Sequence, residues 1–190
     1  MRSSRRAGKP EAIGACSSSE IANQPGTLAL VPQVVDRVKV PVIAAGGIGD
    51  ARAIAAAFAL GASAVQIGTA YLFCPESKIS AMHRARLETA RDDETMLTNV
   101  FTGRPSRCLP NRLARDLGPI TDAAPGFPLA ANAVAPLRAK AESIGSGDFS
   151  PLLAGQAAAL GRERPAADLT RELAAAALER LRALSRRPEH

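Results

Sequence analysis

Residues 40–72, "VPVIAAGGIGDARAIAAAFALGASAVQIGTAYL", constrain the fold more than any other part of the chain. "VPVIAA" is a continuous apolar run with β-branched side chains, the pattern of a strand buried on both faces of a parallel sheet. "GGIGD" comes next as a turn, and Asp50 stands at the N-cap of a helix expected over Ala51–Leu60. Gly61 ends that helix, and "SAVQIGTAYL" opens a second buried strand. Strand, turn, helix and strand fit within about 30 residues, the length that a parallel βαβ crossover requires.

Both strands end in glycine. Gly46, Gly47 and Gly49 precede the helix, while Gly68 and Thr69 close the second strand. Glycine admits backbone angles barred to other residues and lets a ligand approach the main chain. The first N–H groups of a helix that begins there lack internal partners and carry the positive end of its dipole, so such a turn suits a phosphate. A lone "GGIGD" is more often a tight turn than a ligand site; the second glycine end, one βα unit later, favours a site. Two adjacent ends of this kind match the phosphate site after the seventh and eighth strands of a TIM barrel. The dinucleotide fingerprint GxGxxG is not met, since it needs a glycine at Ala51 or Arg52.

Outside this unit the pattern is mainly helical. "LALVPQVVDRVK" spaces Leu28, Val31, Val34, Val35 and Val38 as one face of a helix of about three turns. A helix is expected over Ser80–Arg91, a short strand in "TMLTNVFTG", and an irregular excursion over 103–135. Helices are then expected near Val134–Ile144, Leu152–Gly161 and Ala166–Leu184, the last docking on a sheet through Leu169, Leu173, Ala176, Leu178 and Leu181. Residues 1–25 show no hydrophobic period and read as disordered or unrelated to the remainder of the chain. The reading divides the chain into 1–25, the last βα units of a barrel over 26–95, and an irregular and helical segment over 96–190.

A formal charge of +6 raises the question of nucleic acid, but the excess sits in the two termini and no basic stripe carries interleaved aromatics. No apolar run is long enough to span a bilayer, so no membrane partner is expected. Three scattered cysteines, Cys16, Cys74 and Cys108, fit a reduced cytoplasmic protein better than a disulfide framework or a zinc site.

"GTLALVPQVVD", the 40–72 unit, "FTGRPSRCLPNR" and "AGQAAAL" together closely resemble the C-terminal half of nitronate monooxygenases, formerly 2-nitropropane dioxygenases, over about residues 26–184. The "AAGGI" and "VQIGTA" pair alone also occurs in other FMN barrels, enoyl reductases among them. The resemblance implies an α/β fold: the C-terminal part of a TIM-like (β/α) barrel, incomplete, with an added helical segment. It implies FMN as cofactor and oxidation of alkyl nitronates by dioxygen to carbonyl compounds and nitrite. Carried onto this chain, Gly46 and Gly47 approach the FMN phosphate, and Gln66, Ile67, Gly68 and Thr69 form the second phosphate-binding segment.

The chain departs from the family in one motif. Relatives place E-x-G-G-H, with the catalytic histidine, ahead of "GTLALVPQ"; here "EAIGAC" puts Ala15 at that position. Neither His83 nor His190 matches it, so no catalytic residue is assigned, and His83 is read as a solvated helix residue. With the earlier strands absent, the rival reading is a barrel fragment, inactive or with residual FMN-phosphate binding. Another FMN barrel, such as an enoyl reductase using NAD(P)H, is a further alternative. Arg104, Arg107 and Arg112 are read as exposed or salt-bridged rather than anion-binding, Gln156 as packing or flavin-facing, and Cys74 as a buried apolar residue. Asp92, Asp93 and Glu94 are read as solvated, with no metal expected.

Overall fold

A computed structural model describes residue 21 and residues 24–186. The expectations for Cys16, for the segment aligned with E-x-G-G-H, for His190 and for nearly all of residues 1–25 lie outside the described residues.

Among the described residues the fold is mixed α/β with no closed sheet. Helix α1 (Thr27–Val35) leads into strand β1 (Ile43–Ala45), helix α2 (Ala51–Ala59) and strand β2 (Ala64–Gln66). The two strands pair in parallel, with Ile43 opposite Ala64 and Ala45 opposite Gln66. This is the expected βαβ unit, and its parallel register sets the two glycine ends side by side. Asp50 caps α2 as its side chain accepts from the N–H groups of Arg52 and Ala53. At the other end, Gly61 (φ 92°) donates to the Phe58 carbonyl and Ala62 to that of Ala57, the paired bonds of a glycine-terminated helix. A Cβ at Gly61 would sit 2.9 Å from Val35 of α1, so the turn needs glycine for packing as well as for its backbone angle.

The strand β1 is not buried on both faces as its composition predicts. Ala44 faces the core at 2% exposure while Ile43 faces outward at 52%, beside the exposed Val40. Among the described residues the parallel sheet holds two strands, and no further strand pairs with β1 beside Ile43.

The main core joins Val31, Ala44, Ile48, Ile54, Ala57, Ala70 and Cys74 to the C-terminal helix α7 (Ala166–Ser185). The helix α7 has nearly its predicted bounds but packs along α2, not on a sheet. It buries Leu169, Leu173 and Ala177 and leaves Leu178 exposed, so its inner face is rotated from the expected stripe.

Between these parts run α3 (Thr69–Leu72), α4 (Ala81–Glu88), an antiparallel pair β3 (Met96–Thr98) and β4 (Ser106–Cys108), then α5 (Arg112–Asp116) and α6 (Ala130–Ser143). The excursion read as irregular over 103–135 therefore contains a strand and a short helix. Arg84 of α4 fixes the chain after α3 by donating to the carbonyls of Leu72, Phe73, Cys74 and Ser77 at 3.0–3.4 Å.

The helix predicted over Leu152–Gly161 is not formed; only Ala158–Leu160 makes a single 3₁₀ turn. Residues 152–154 instead run beside β4. The Leu109 N–H donates to the Leu152 carbonyl at 2.8 Å, and the Ala154 N–H to that of Arg107 at 3.2 Å. Pairing with a strand more than 40 positions earlier overrides the local apolar pattern.

Candidate functional site

The ends of β1 and β2 open into one cleft, lined by Ala45, Gly46, Gly47, Ile48, Gly49, Gln66, Gly68, Thr69, Ala70, Gly155 and Ala157. Five of the six residues singled out from sequence meet there. Ile67 does not line it, because its side chain packs against the main core. Gly46 (φ 104°) and Gly47 (φ 68°) are consecutive left-handed residues, a conformation that glycine takes without steric cost. At Gly68 an added Cβ would meet no atom within 4 Å, so space rather than packing surrounds that position.

The donors of the cleft differ from those expected. The N-terminus of α2 is closed by the protein's own carboxylate: the Asp50 side chain accepts from Arg52 N–H at 2.9 Å and Ala53 N–H at 3.2 Å, and pairs with the Arg52 guanidinium at 2.6 Å. Partial burial pushes this carboxyl up, but the bonds from Arg52 and the two main-chain N–H groups outweigh it and hold the group below its ordinary value. The glycine turn and the start of α3 also line the cleft. There the N–H groups of Thr69 and Ala70 lie in the first turn and have no acceptor within the helix.

A strap of chain over residues 152–161 adds Gly155 and Ala157 to the cleft wall, where the sequence points only to Gln156, as an alternative to packing. Its Gly155 N–H donates to Thr69 Oγ1 at 2.8 Å. The Thr69 hydroxyl is thus an acceptor for the strap, and its own proton remains to donate. Opposite, a Cβ at Gly49 would come within 2.9 Å of the Ala157 Cβ, so Gly49 serves the close approach of strap and turn. Gly161 lies so tightly on the Phe73 ring that a Cβ there would overlap it. Gln156, within the strap, is exposed and lies outside the cleft lining. The "AGQ" segment was the one sequence signal for the strap, and its glycine rather than its glutamine touches the site.

The remaining candidates have other duties. His83 is not solvated: it is 8% exposed, with ring Nε2 2.9 Å from the Leu153 carbonyl. Burial lowers its pKa below the ordinary value, opposed by that hydrogen bond. Cys74 is buried as read, and burial first, then Glu76, raises its thiol pKa, so it is held as the thiol. Cys108 is fully buried and pushed up to about 12 by burial. The three arginines diverge. Arg104 stacks 4.4 Å above the Phe127 ring, Arg107 donates to Thr95, and Arg112 pairs with Asp116 at 3.1 Å. Asp92, Asp93 and Glu94 are exposed, and no group of three or more metal-ligating side chains occurs among the described residues. No helix among them is long and apolar enough to cross a membrane.

The family model described as nitronate monooxygenase matches residues 10–176. The chain belongs to that family. Nitronate monooxygenase of Pseudomonas aeruginosa is 48% identical over 149 residues, covering 78% of this chain and 42% of the relative. A probable nitronate monooxygenase of Staphylococcus saprophyticus is 36% identical over 140 residues, covering 74% of this chain and 39% of that protein. Among solved structures, a nitroalkane oxidase from Streptomyces ansochromogenes superposes with a TM-score of 0.84 at 40% identity, over 94% of this chain and 52% of that one. FabK from Thermotoga maritima superposes with a TM-score of 0.73 at 30% identity, over 94% and 55%. These neighbours are of TIM-barrel type. The chain spans about two fifths of the length of the curated relatives and about half that of the solved ones.

Proposed function

We propose that this chain supplies the phosphate end of an FMN site in an enzyme that oxidises alkyl nitronates with dioxygen to carbonyl compounds and nitrite. The observation that carries the reading is the cleft itself. Two left-handed glycines, Gly68 and the start of α3 line one space, and around Gly68 that space is open. A phosphate monoester fits this donor set, because its oxygens accept several N–H bonds at once without needing a cationic side chain.

Within this reading, the N–H groups of the Gly46–Gly47 turn and of Thr69 and Ala70 hold the phosphate, and the Thr69 hydroxyl donates to it. The strap, seated on Thr69 and Gly49, excludes water from the far side. When bound, the flavin supplies the electron chemistry between nitronate and dioxygen. His83 is not assigned as the base, since its ring is buried and already bonded to a carbonyl. The base, the substrate pocket and the rest of the wall come from barrel strands beyond the two present here, and the two-stranded parallel sheet is an incomplete barrel. A reduced, cytoplasmic setting accords with the buried Cys74 and Cys108 thiols.

The test is an FMN titration of the 190-residue chain by flavin fluorescence, beside a Gly47→Val, Gly68→Val double variant. Saturable binding lost in the variant supports the cleft. A second arm adds the N-terminal barrel half of the Pseudomonas relative and measures nitrite release from a nitronate. Nitrite release only with that half supports the assignment. NAD(P)H-dependent enoyl reduction instead would favour the activity of an enoyl reductase, and no flavin binding in either arm refutes the site.

A further inference from the structure

We propose that His83 is a positioning residue for the cleft, acting through the strap rather than on any ligand. Its effect on a ligand rests on the phosphate-cleft reading, whereas its hold on the strap stands on the protein's own contacts. The Leu153 carbonyl only accepts, so the ring nitrogen 2.9 Å away carries the proton, which defines His83 as an Nε2–H donor. His83 is itself fixed. Its backbone N–H is bound by the Ser80 hydroxyl at 3.2 Å, and Leu87, one turn further along α4, is 1% exposed.

The bond matters because of where the strap is otherwise held. Its pairing with β4 engages the Leu152 carbonyl and the Ala154 N–H. In an extended segment successive carbonyls point to opposite sides, so the Leu153 carbonyl faces away from β4 and toward α4. His83 is its partner there. Two residues on, the Gly155 N–H meets Thr69, and two further, Ala157 meets the Gly49 turn. The strap is thus clamped between α4 and β4 immediately before it reaches the cleft. Loss of one side of the clamp frees the strap to move off Thr69, which also donates to the phosphate in the proposed function.

Histidine fits this duty by chemistry. An apolar side chain of its size fills the space but leaves a carbonyl without its donor. Glutamine places an amide N–H at nearly the position of Nε2. The deciding experiment compares His83→Phe with His83→Gln in the full 190-residue chain. It reads hydrogen exchange at the Gly155 amide and the affinities for FMN and for riboflavin, which lacks the phosphate.

A positioning role gives about fivefold faster Gly155 exchange and about fivefold weaker FMN binding in His83→Phe, the size of one net hydrogen bond. Riboflavin binding is unchanged, and His83→Gln restores both properties. Normal exchange in His83→Phe, or a greater defect in His83→Gln than in His83→Phe, overturns the proposal, because it marks a space-filling role. Should the wild type bind no FMN, the phosphate reading falls while the exchange arm still decides the clamp. Should His83→Phe not fold, histidine nitrogen NMR of the wild type decides: a neutral ring protonated at Nε2 supports the clamp, and one protonated at Nδ1 refutes it.

Discussion

Gly68→Ala separates a glycine kept for a ligand from one kept for the fold. The added methyl meets nothing within 4 Å, and the native φ of −109° lies on the side open to any L-residue. Folding should therefore be unharmed, or favoured by up to about 1 kcal/mol through the smaller entropy of the unfolded chain. Gly68 lines the cleft, so the methyl takes up space at its wall. Displacing a phosphate oxygen from one main-chain donor costs about 1.5–3 kcal/mol, or roughly tenfold to a hundredfold in FMN affinity. Gly161→Ala is the control. Its φ of −62° is ordinary, but its methyl would overlap the buried Phe73 ring, and such overpacking costs about 1–3 kcal/mol. Urea unfolding and a fluorescence titration with FMN measure both quantities on each variant. A Gly68→Ala protein that loses more than about 1 kcal/mol of stability and keeps its FMN affinity would refute the argument that this glycine serves the cleft.

Three further perturbations probe the supports of the site. Asp50→Ala removes the cap of α2 and should cost about 1 kcal/mol at neutral pH, read from the urea midpoint. Because the folded Asp50 carboxyl lies below its unfolded value, the stability it contributes is present above about pH 4 and lost as pH falls through the folded pKa, so the variant's acid unfolding should flatten there. The folded His83 pKa lies below its unfolded value of 6.5, so the unfolded chain binds the extra proton; stability should fall as pH drops below that value and be flat above it. His83→Gln should remove this slope in melts taken from pH 7.5 to 5.5. Arg84→Met keeps the aliphatic stem but strips the donor from four carbonyls, and thermal or urea unfolding should show a loss of about 1–3 kcal/mol.

What was legible in the sequence was local. Asp50 as a cap, Gly61 as a stop and the glycine end of β1 each depend on neighbours within a few residues, and the structure places them as read. The strand β2, by contrast, is not buried and stops at Gln66, so that Thr69 opens α3 rather than closing the strand. The misreadings share a different origin. Leu152–Gly161 carries enough apolar residues for a helix, but β4 offers it backbone partners from far away in sequence. His83 sits on a weakly amphipathic helix, and only the Leu153 carbonyl, 70 positions later, gives its ring a reason to be buried. Thr69 reads from the sequence as a hydroxyl for a phosphate site, but not as the acceptor of the strap. Asp50 was visible as a cap, yet its occupation of the Arg52 and Ala53 N–H groups at the start of α2 emerges only from the geometry.

The bond between Gly155 and Thr69 joins positions 86 apart. On a growing chain the two glycine ends leave the ribosome well before the strap does. During that interval the cleft is a two-sided trough, open where Gly155 and Ala157 will later close it. Contacts of such long sequence separation also form late, because the loop between them must close before they are rewarded. The strap side of the cleft is therefore closed only after the βα unit that carries the two glycine ends has already taken shape.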